Sequence, residues 1–537
     1  MGRVGAAEFE RMTMAERHEL LRYGLTRRGF LRTAAVGAAT LAAGPTLLTR
    51  TAAAAAPVTG RWLAMGADPL RQMRVSWQVA AAVARPRVRL GTDTGYGTVV
   101  EAELTPLRAR LPDGSVHDQF YVRADLEGLR PGTTYHYRVE HDGLEGADAT
   151  FATAPAGGSA APFTFTAFGD QGVSEAATAV TAAVVRERPA FHLLAGDISY
   201  AETDGKGLLA QAYKPGRWDR YFQQIDAAAS TVPWMVASGN HEMEPVYDGH
   251  GYGGLRRRFA LPGNGPPQCP AVYTFRYSNV GVVSLDANDV TYELATNRGY
   301  SEGAQTEWLR RALAGLRADP EVDFIVVFFH QCAYASCVGH GSDAGVRAAW
   351  TALFDEYTVD LVVNGHNHSY ERTDPLRAGA PVTSAASGST VWPAVHGTTY
   401  VVAGGGGIAL DGFRPGGTAT LWSEPGRPTK EQVTWSRARY PGFSYLSVRV
   451  RPGDGRSTMT VRARRPDGSA LDTVTLARAN TRRARASAAG SASAAGAAGA
   501  GVSGTALAVA GTAAAVTVAA GTGAYLAHRR RPDTEPS

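Results

Sequence analysis

Five short motifs between Asp170 and His368 constrain this chain more than anything else in it. Each opens as a run of apolar β-formers and closes on a polar residue, beside glycine in all but the His330 motif, where a parallel strand stops and the backbone must turn. They run Phe163 to Gly172, Phe191 to Tyr200, Trp234 to Glu242, Phe324 to His330 and Leu361 to His368. Together they present Asp170, Asp197, Tyr200, Asn240, His330, His366 and His368. In open α/β sheets ligands bind outside the carboxyl ends of the strands, so five ends facing one crevice predict one site. Seven donors suffice for two metal ions that share a carboxylate.

The donor types narrow the metal. Carboxylate, amide and phenolate oxygens mixed with imidazole suit iron, zinc or manganese, and the lack of thiolate among them disfavours a structural zinc site. Calcium takes oxygens alone. Singly, each residue has a plainer reading: an Asp after Gly at a strand end commonly caps a helix or forms a turn, and Asn240 fits a turn too. His366 and His368, two apart after a buried strand, have no capping role. His192, inside a strand, and His250, in a Gly-rich loop, read as structural or exposed. Glu242 and Tyr370 flank the motifs and are candidates only for support around the donors.

The order and spacing resemble the calcineurin-like metallophosphoesterase superfamily and, within it, the purple acid phosphatases. That pattern of D-x-G, G-D-x-x-Y, G-N-H-E/D, V-x-x-H and G-H-x-H is matched by Asp170 to Gly172, Gly196 to Tyr200, Gly239 to Glu242, Val327 to His330 and Gly365 to His368. Tyr200 is the most discriminating residue, because most other branches of the superfamily lack this phenolate. The resemblance implies a dinuclear centre: Asp170, Asp197, Tyr200 and His368 on Fe3+, and Asp197, Asn240, His330 and His366 on a divalent Zn2+, Mn2+ or Fe2+, with Asp197 bridging. It implies an acid phosphatase in which metal-bound hydroxide attacks phosphate monoesters, with Asn240, His241 and His340 contacting substrate and His241 or His340 as the catalytic proton donor. Gly339 stands where the family often has a second histidine, a departure that bears on proton delivery.

Around the site the composition changes several times, as expected for a chain of 537 residues. Thr26 to Arg32, followed by the apolar stretch Thr33 to Thr49 and small residues from Ala52 to Ala56, has the layout of a twin-arginine export signal, assigned to 1–56. From 57 to 154 the text is β-rich. Met73 to Val79, Pro86 to Leu90, Phe120 to Ala124 and Thr134 to Val139 alternate at period two, which predicts a small antiparallel sandwich. Leu126 to Tyr135 resembles fibronectin type III domains and the amino-terminal domain of plant-type purple acid phosphatases. Ala154 to Ala161 reads as a linker.

The catalytic domain is assigned to 162–477. Helix-like segments at Glu175 to Glu187, Gln305 to Arg317 and Ala344 to Tyr357 alternate with the motif strands and predict an α/β fold. The family resemblance makes it a metallophosphoesterase sandwich of two sheets flanked by helices. Tyr400 to Gly407 reads as a strand entering a glycine turn, and Ser444 to Val450 with Thr458 to Arg462 as a closing hairpin. An Ala/Gly/Ser stalk is expected at 478–501. Val502 to Ala527 runs 26 residues without a charge before His528 and three arginines, which predicts a transmembrane anchor at 502–527 and a cytoplasmic basic tail at 528–537. The enzyme is then expected outside the cell, at its surface.

The net charge of +5 misleads about partners, because the two termini carry +4 and +5 and leave the body at −4. A slightly acidic body argues against a nucleic-acid scaffold, and the resemblance implies small phosphate esters as partners. Three cysteines exclude a disulfide framework, although Cys332 and Cys337 are placed to close a small ring after export. Two other functions share these features. One is a phosphodiesterase or nucleotide hydrolase on the same dimetal site; the other is a cell-surface binding module with a vestigial site.

Overall fold

The structure is a computed structural model that describes residues 56–480. The expected export signal before Ala56, the stalk beyond Asn480, the anchor at 502–527 and the tail at 528–537 lie outside the described residues. Among the described residues no helix is long and apolar enough to cross a membrane.

The period-two text folds into two antiparallel sheets. One orders Val58–Met65, Met73–Val79, Val116–Leu126 and Glu103–Arg110; the other orders Thr98–Glu101, Arg87–Gly91 and Thr134–His141, with Leu144–Glu145 and Ala149–Ala152 also paired to the last. Val75, Trp77, Val88 and Val139 are fully buried in their core. The Tyr135 hydroxyl accepts a hydrogen bond from Arg130 N at 2.9 Å, the corner that ties a tyrosine back to upstream backbone in fibronectin-like sandwiches. Ser76 and Gln78 are buried as well, because their face meets the following domain. Gln78 and Gln119 both donate to Asp219 on the helix Gly216–Ala229, and Trp62 stacks on Phe222 of that helix with ring centroids 3.8 Å apart. Burying a side chain such as Phe222 contributes roughly 2–3 kcal/mol, so this contact fixes the β domain firmly against the catalytic one.

Two seven-stranded sheets form the second domain. The first runs Trp234–Val236, His192–Leu194, Phe163–Phe168, Tyr445–Arg451, Arg456–Arg464, Ala470–Ala479 and Thr390–Val391. The second runs Tyr273–Tyr277, Val280–Ser284, Phe324–Phe329, Leu361–Asn364, Thr399–Ala403, Tyr370–Thr373 and Ser436–Tyr440. The motif strands pair in parallel within each sheet, so their carboxyl ends share one edge. Alternating residues sort the layers: Val326, Phe328 and Val363 join the core shared with Phe165 and Val448, while Ile325, Val327 and Phe329 pack with Leu309, Leu313 and Trp350. The helix Glu175–Glu187 starts where Ser174 Oγ accepts from Ala177 N at 3.0 Å and stops where Arg188 turns left-handed at φ 47°.

The helix-like segment at Ala344 to Tyr357 is helical from Ala344 to Glu356, with a π-turn at Arg347–Thr351 between its α-helical parts. One boundary is corrected. The last strand runs to Ala479, so the expected stalk at 478–501 begins two residues inside the sheet. Arg478 is held there by the Asp360 carboxylate, which it meets at 2.5 Å.

Candidate metal centre

All seven predicted donors converge on the shared strand edge. Four of them, Asp170, Tyr200, Asp197 and His366, have left-handed backbones with φ of 60°, 55°, 52° and 68°. Non-glycine residues adopt this region rarely and at a cost of roughly 1 kcal/mol or more each, so such a concentration marks a functional turn. Glycines beside the donors have a steric reason. A Cβ on Gly239 would lie 2.2 Å from Asp197 Oδ1, and one on Gly365 would lie 2.6 Å from both Ala195 O and Asp170 Oδ2.

The donors form two touching groups. The Tyr200 hydroxyl donates to Asp170 Oδ1 at 3.2 Å and lies 3.1 Å from His368 Nε2, which is itself 3.2 Å from Asp170 Oδ1. In the other group Asp197 Oδ2 is 3.1 Å from His330 Nε2, which is 3.2 Å from His366 Nδ1. His330 Nε2 also lies 3.9 Å from Asp170 Oδ1, so the groups share a boundary. Asp170, Asp197 and His330 are close enough to hold a metal ion together.

The surrounding bonds select which atom of each side chain remains available. His330 Nδ1 is 2.8 Å from Ala195 O and His368 Nδ1 is 2.6 Å from Ala409 O, which leaves both Nε2 atoms facing the site. Asn240 Nδ2 donates to Gly205 O at 3.0 Å, which leaves Oδ1. Asn240 Oδ1 is a buried acceptor without a hydrogen-bond partner, and Asp197 Oδ2 has only the His330 ring at hydrogen-bonding distance, 3.1 Å away. Two such oxygens beside imidazole nitrogens fit metal ions, because an unpaired buried acceptor is otherwise costly.

The electrostatics say the same. Burial alone would lower His330, but Asp197 and Asp170 hold it up to about 10. Burial is likewise outweighed at His368, which Asp170 and Asp411 hold at about 9. Burial and His340 push His366 down to about 4. Against burial, His330 and His241 keep Asp197 well below the carboxylate range, while burial, Asp170 and Asp197 push the Tyr200 phenol far up. Buried carboxylates here draw protons onto histidines, and a cation would take the place of those protons.

His241 and His340 differ in setting. His241 is 1% exposed, donates from Nδ1 to the Glu202 carbonyl, and packs on Tyr200 with ring centroids 4.2 Å apart. His340 is more open, at 15% side-chain exposure, and its ring lies 3.9 Å from that of His366. Its loop is not simply solvated: Trp422 Nε1 donates to His340 O at 2.9 Å, and Asn367 bonds both backbone groups of Gly341. Gly339 has a local explanation, since a Cβ there would lie 2.4 Å from Asp411 Oδ2. The Asp411 carboxylate occupies space beside the position where the family often has histidine.

Of the flanking residues, Glu242 accepts from Asp197 N, Ile198 N and Gly239 N, each at 2.8 Å, and so binds two motif loops together. Tyr370 instead donates to Asp472 at 2.7 Å, away from the donors. His192 is fully buried between Phe168 and Trp234. The Cys332–Cys337 ring is not formed: both thiols are free and buried, and they flank Asn367, with Cys332 Sγ 3.3 Å from its Nδ2 and Cys337 Sγ 2.9 Å from its Oδ1. Sequence reasoning missed Glu293, whose carboxylate meets His366 Nε2 at 2.7 Å and also bonds His340 Nδ1. No motif surrounds it.

Residues 60–166 match the family model of the purple acid phosphatase N-terminal domain, and residues 163–370 match that of the calcineurin-like phosphoesterases. An uncharacterized protein of Mycobacterium tuberculosis is 37% identical over 504 residues, covering 82% of this chain and 92% of that protein. Purple acid phosphatase 15 of Arabidopsis thaliana is 29% identical over 299 residues, covering 52% of this chain and 53% of that one. The structure of a purple acid phosphatase from yellow lupin seeds superposes with a TM-score of 0.64 at 22% identity, covering 80% of this chain and 75% of the lupin chain, and so shares the fold. The chain belongs to the purple acid phosphatase family of the calcineurin-like, metal-dependent phosphoesterases.

Proposed function

We propose that this protein is an exported acid phosphatase that hydrolyses phosphate monoesters at a dinuclear centre held by Asp170, Asp197, Tyr200, Asn240, His330, His366 and His368. The observation that carries the reading is the complete donor set on one strand edge, with Asn240 Oδ1 buried and without a partner and Asp197 Oδ2 within hydrogen-bonding distance of the His330 ring only. A bound metal pair supplies charge stabilisation for a phosphoryl group and lowers the pKa of water. Asp197 lies in the group of His330 and His366, which borders Asp170, and accepts from His241 N, next to Asn240, at 3.0 Å, a position that suits a carboxylate shared between two ions. Tyr200, between Asp170 and His368, supports Fe3+ as one ion, with Zn2+, Mn2+ or Fe2+ beside it.

The chain's own residues supply the rest. Asn240 and His241 border the Asp197 side and His340 the His366 side, so a phosphate ester between them meets both histidines. Of the two candidate proton donors, His340 has an Nε2 without a hydrogen-bond partner, which leaves that atom for a leaving alcohol. The twin-arginine motif at Thr26 to Arg32 supports export, and the uncharged run at 502–527 supports attachment to the cell surface.

The test uses the purified, metal-replete full chain on aryl and alkyl phosphate monoesters and on diesters across pH. Monoester hydrolysis with an acidic optimum is expected. Preference for diesters would move the substrate class, and hydrolysis of no phosphate ester would leave the binding-module reading in its place.

A further inference from the structure

Glu293 sits on the loop after Val280–Ser284, outside all five motifs, yet its carboxylate joins two histidines of the site. Oε2 accepts from His366 Nε2 at 2.7 Å and Oε1 from His340 Nδ1. The loop is fixed by a second carboxylate. Asp343 accepts from Thr291 Oγ1 at 2.6 Å, from Tyr292 N at 2.8 Å and from Glu293 N at 3.0 Å, and it follows His340 by three residues. One acid therefore ties the two loops together and the other reaches from one loop to the rings.

An ionised carboxylate only accepts, so each ring must donate from the atom that faces it. That leaves His366 Nδ1 on the side of His330 Nε2, 3.2 Å away, and leaves His340 Nε2, a buried nitrogen without a hydrogen-bond partner. We propose that Glu293 is a positioning residue that fixes both tautomers at once, aiming His366 Nδ1 at the metal pair and His340 Nε2 at the substrate. The proposal rests on the dimetal phosphatase reading and adds a residue that couples ion retention to leaving-group chemistry. Carboxylate partners of metal-binding histidines set ring orientation, and their loss typically costs about 10- to 100-fold in metal affinity or activity.

The experiment compares the wild-type full chain with Glu293→Gln and Glu293→Asp. Bound metal is counted after graded chelator challenge, and kcat is measured for 2,4-dinitrophenyl phosphate, whose leaving group needs no proton, and for an alkyl phosphate, whose leaving group does. A glutamine oxygen can serve only one of the two ring N–H groups. Glu293→Gln should therefore release one ion at about 10- to 100-fold lower chelator concentration and lose more kcat on the alkyl ester than on the dinitrophenyl ester, with Glu293→Asp intermediate. Unchanged ion retention, or an equal loss on both esters, would overturn the proposal. So would three ions in the wild type and two in Glu293→Gln, because Glu293, His340 and His366 are close enough to hold an ion themselves. If Glu293→Gln does not fold, Glu293→Asp alone decides on the same two readouts. If the wild type hydrolyses no ester, the phosphatase reading fails while the chelator measurement still reports whether Glu293 supports His366.

Discussion

Replacing Arg258 with methionine should expose how the β domain and the site loop are locked together. Arg258 is 1% exposed and lies over Trp218 at 4.3 Å. It donates to both oxygens of Glu244, at 2.9 and 2.8 Å, to Tyr213 at 2.8 Å and to Tyr121 of the β domain at 3.2 Å. Glu244 follows Asn240 by four residues and would keep only neutral donors, Trp218 Nε1 at 2.6 Å and the Tyr213 hydroxyl. Methionine roughly preserves the stem's volume but strands a buried carboxylate, a change that typically costs about 3–5 kcal/mol. Burial already raises the pKa of Glu244 with Arg258 present, and without it the rise grows. The sign follows: an acid whose folded pKa lies above its unfolded value loses stability as pH rises through the folded value. The defect should be smaller at pH 5 than at pH 8. Urea unfolding at both pH values measures it, and Arg258→Met/Glu244→Leu should recover most of the loss. A single variant within 1 kcal/mol of wild type, a defect independent of pH, or a double variant no better than the single would refute this reasoning.

Other outcomes follow from the site. His330 and His368, held at about 10 and about 9, carry protons at neutral pH that an ion must displace. Metal affinity of the stripped protein should therefore climb between pH 6.5 and 8.5, by up to about 100-fold per unit, and a flat titration would contradict that. The same raised values stabilise the metal-free fold below pH 6.5, and this part of its stability falls as pH passes through 9 to 10. Gly365→Ala should abolish metal binding, since its Cβ meets backbone and Asp170, whereas Gly339→Ala meets only the end of the Asp411 side chain and should be tolerated; metal content of both variants decides. Asp197→Asn should empty both positions and cut activity at least about 100-fold, and retained metal content would rule out a shared carboxylate.

The donors were legible because they follow strand ends, and Asp170, Asp197, Asn240 and His366 each stand beside a glycine. The β-sandwich was legible from period-two runs such as Met73 to Val79, which is a strand over the same residues. Glu293 was not, since its place depends on Asp343 holding a loop 50 residues away in sequence, and nothing around Thr291 to Glu293 signals that contact. Ala470–Ala479 was missed because its last residues, Ala477 to Ala479, blend into the Ala- and Arg-rich text that follows. Gly339 looked like the mark of a flexible loop, yet that loop is pinned through Trp422 and Asn367. Local pattern reports strand ends well, whereas contacts made by loops across the fold leave no local trace.

On the proposed reading seven side chains hold two ions, with Tyr200 on a ferric one. The most direct measurement is the metal content and visible spectrum of the purified full chain beside Tyr200→Phe. Two ions per chain, at least one of them iron, and a tyrosinate charge-transfer band that disappears in Tyr200→Phe are the predicted result. A colourless wild type, or a band that survives the loss of the phenol, would contradict it.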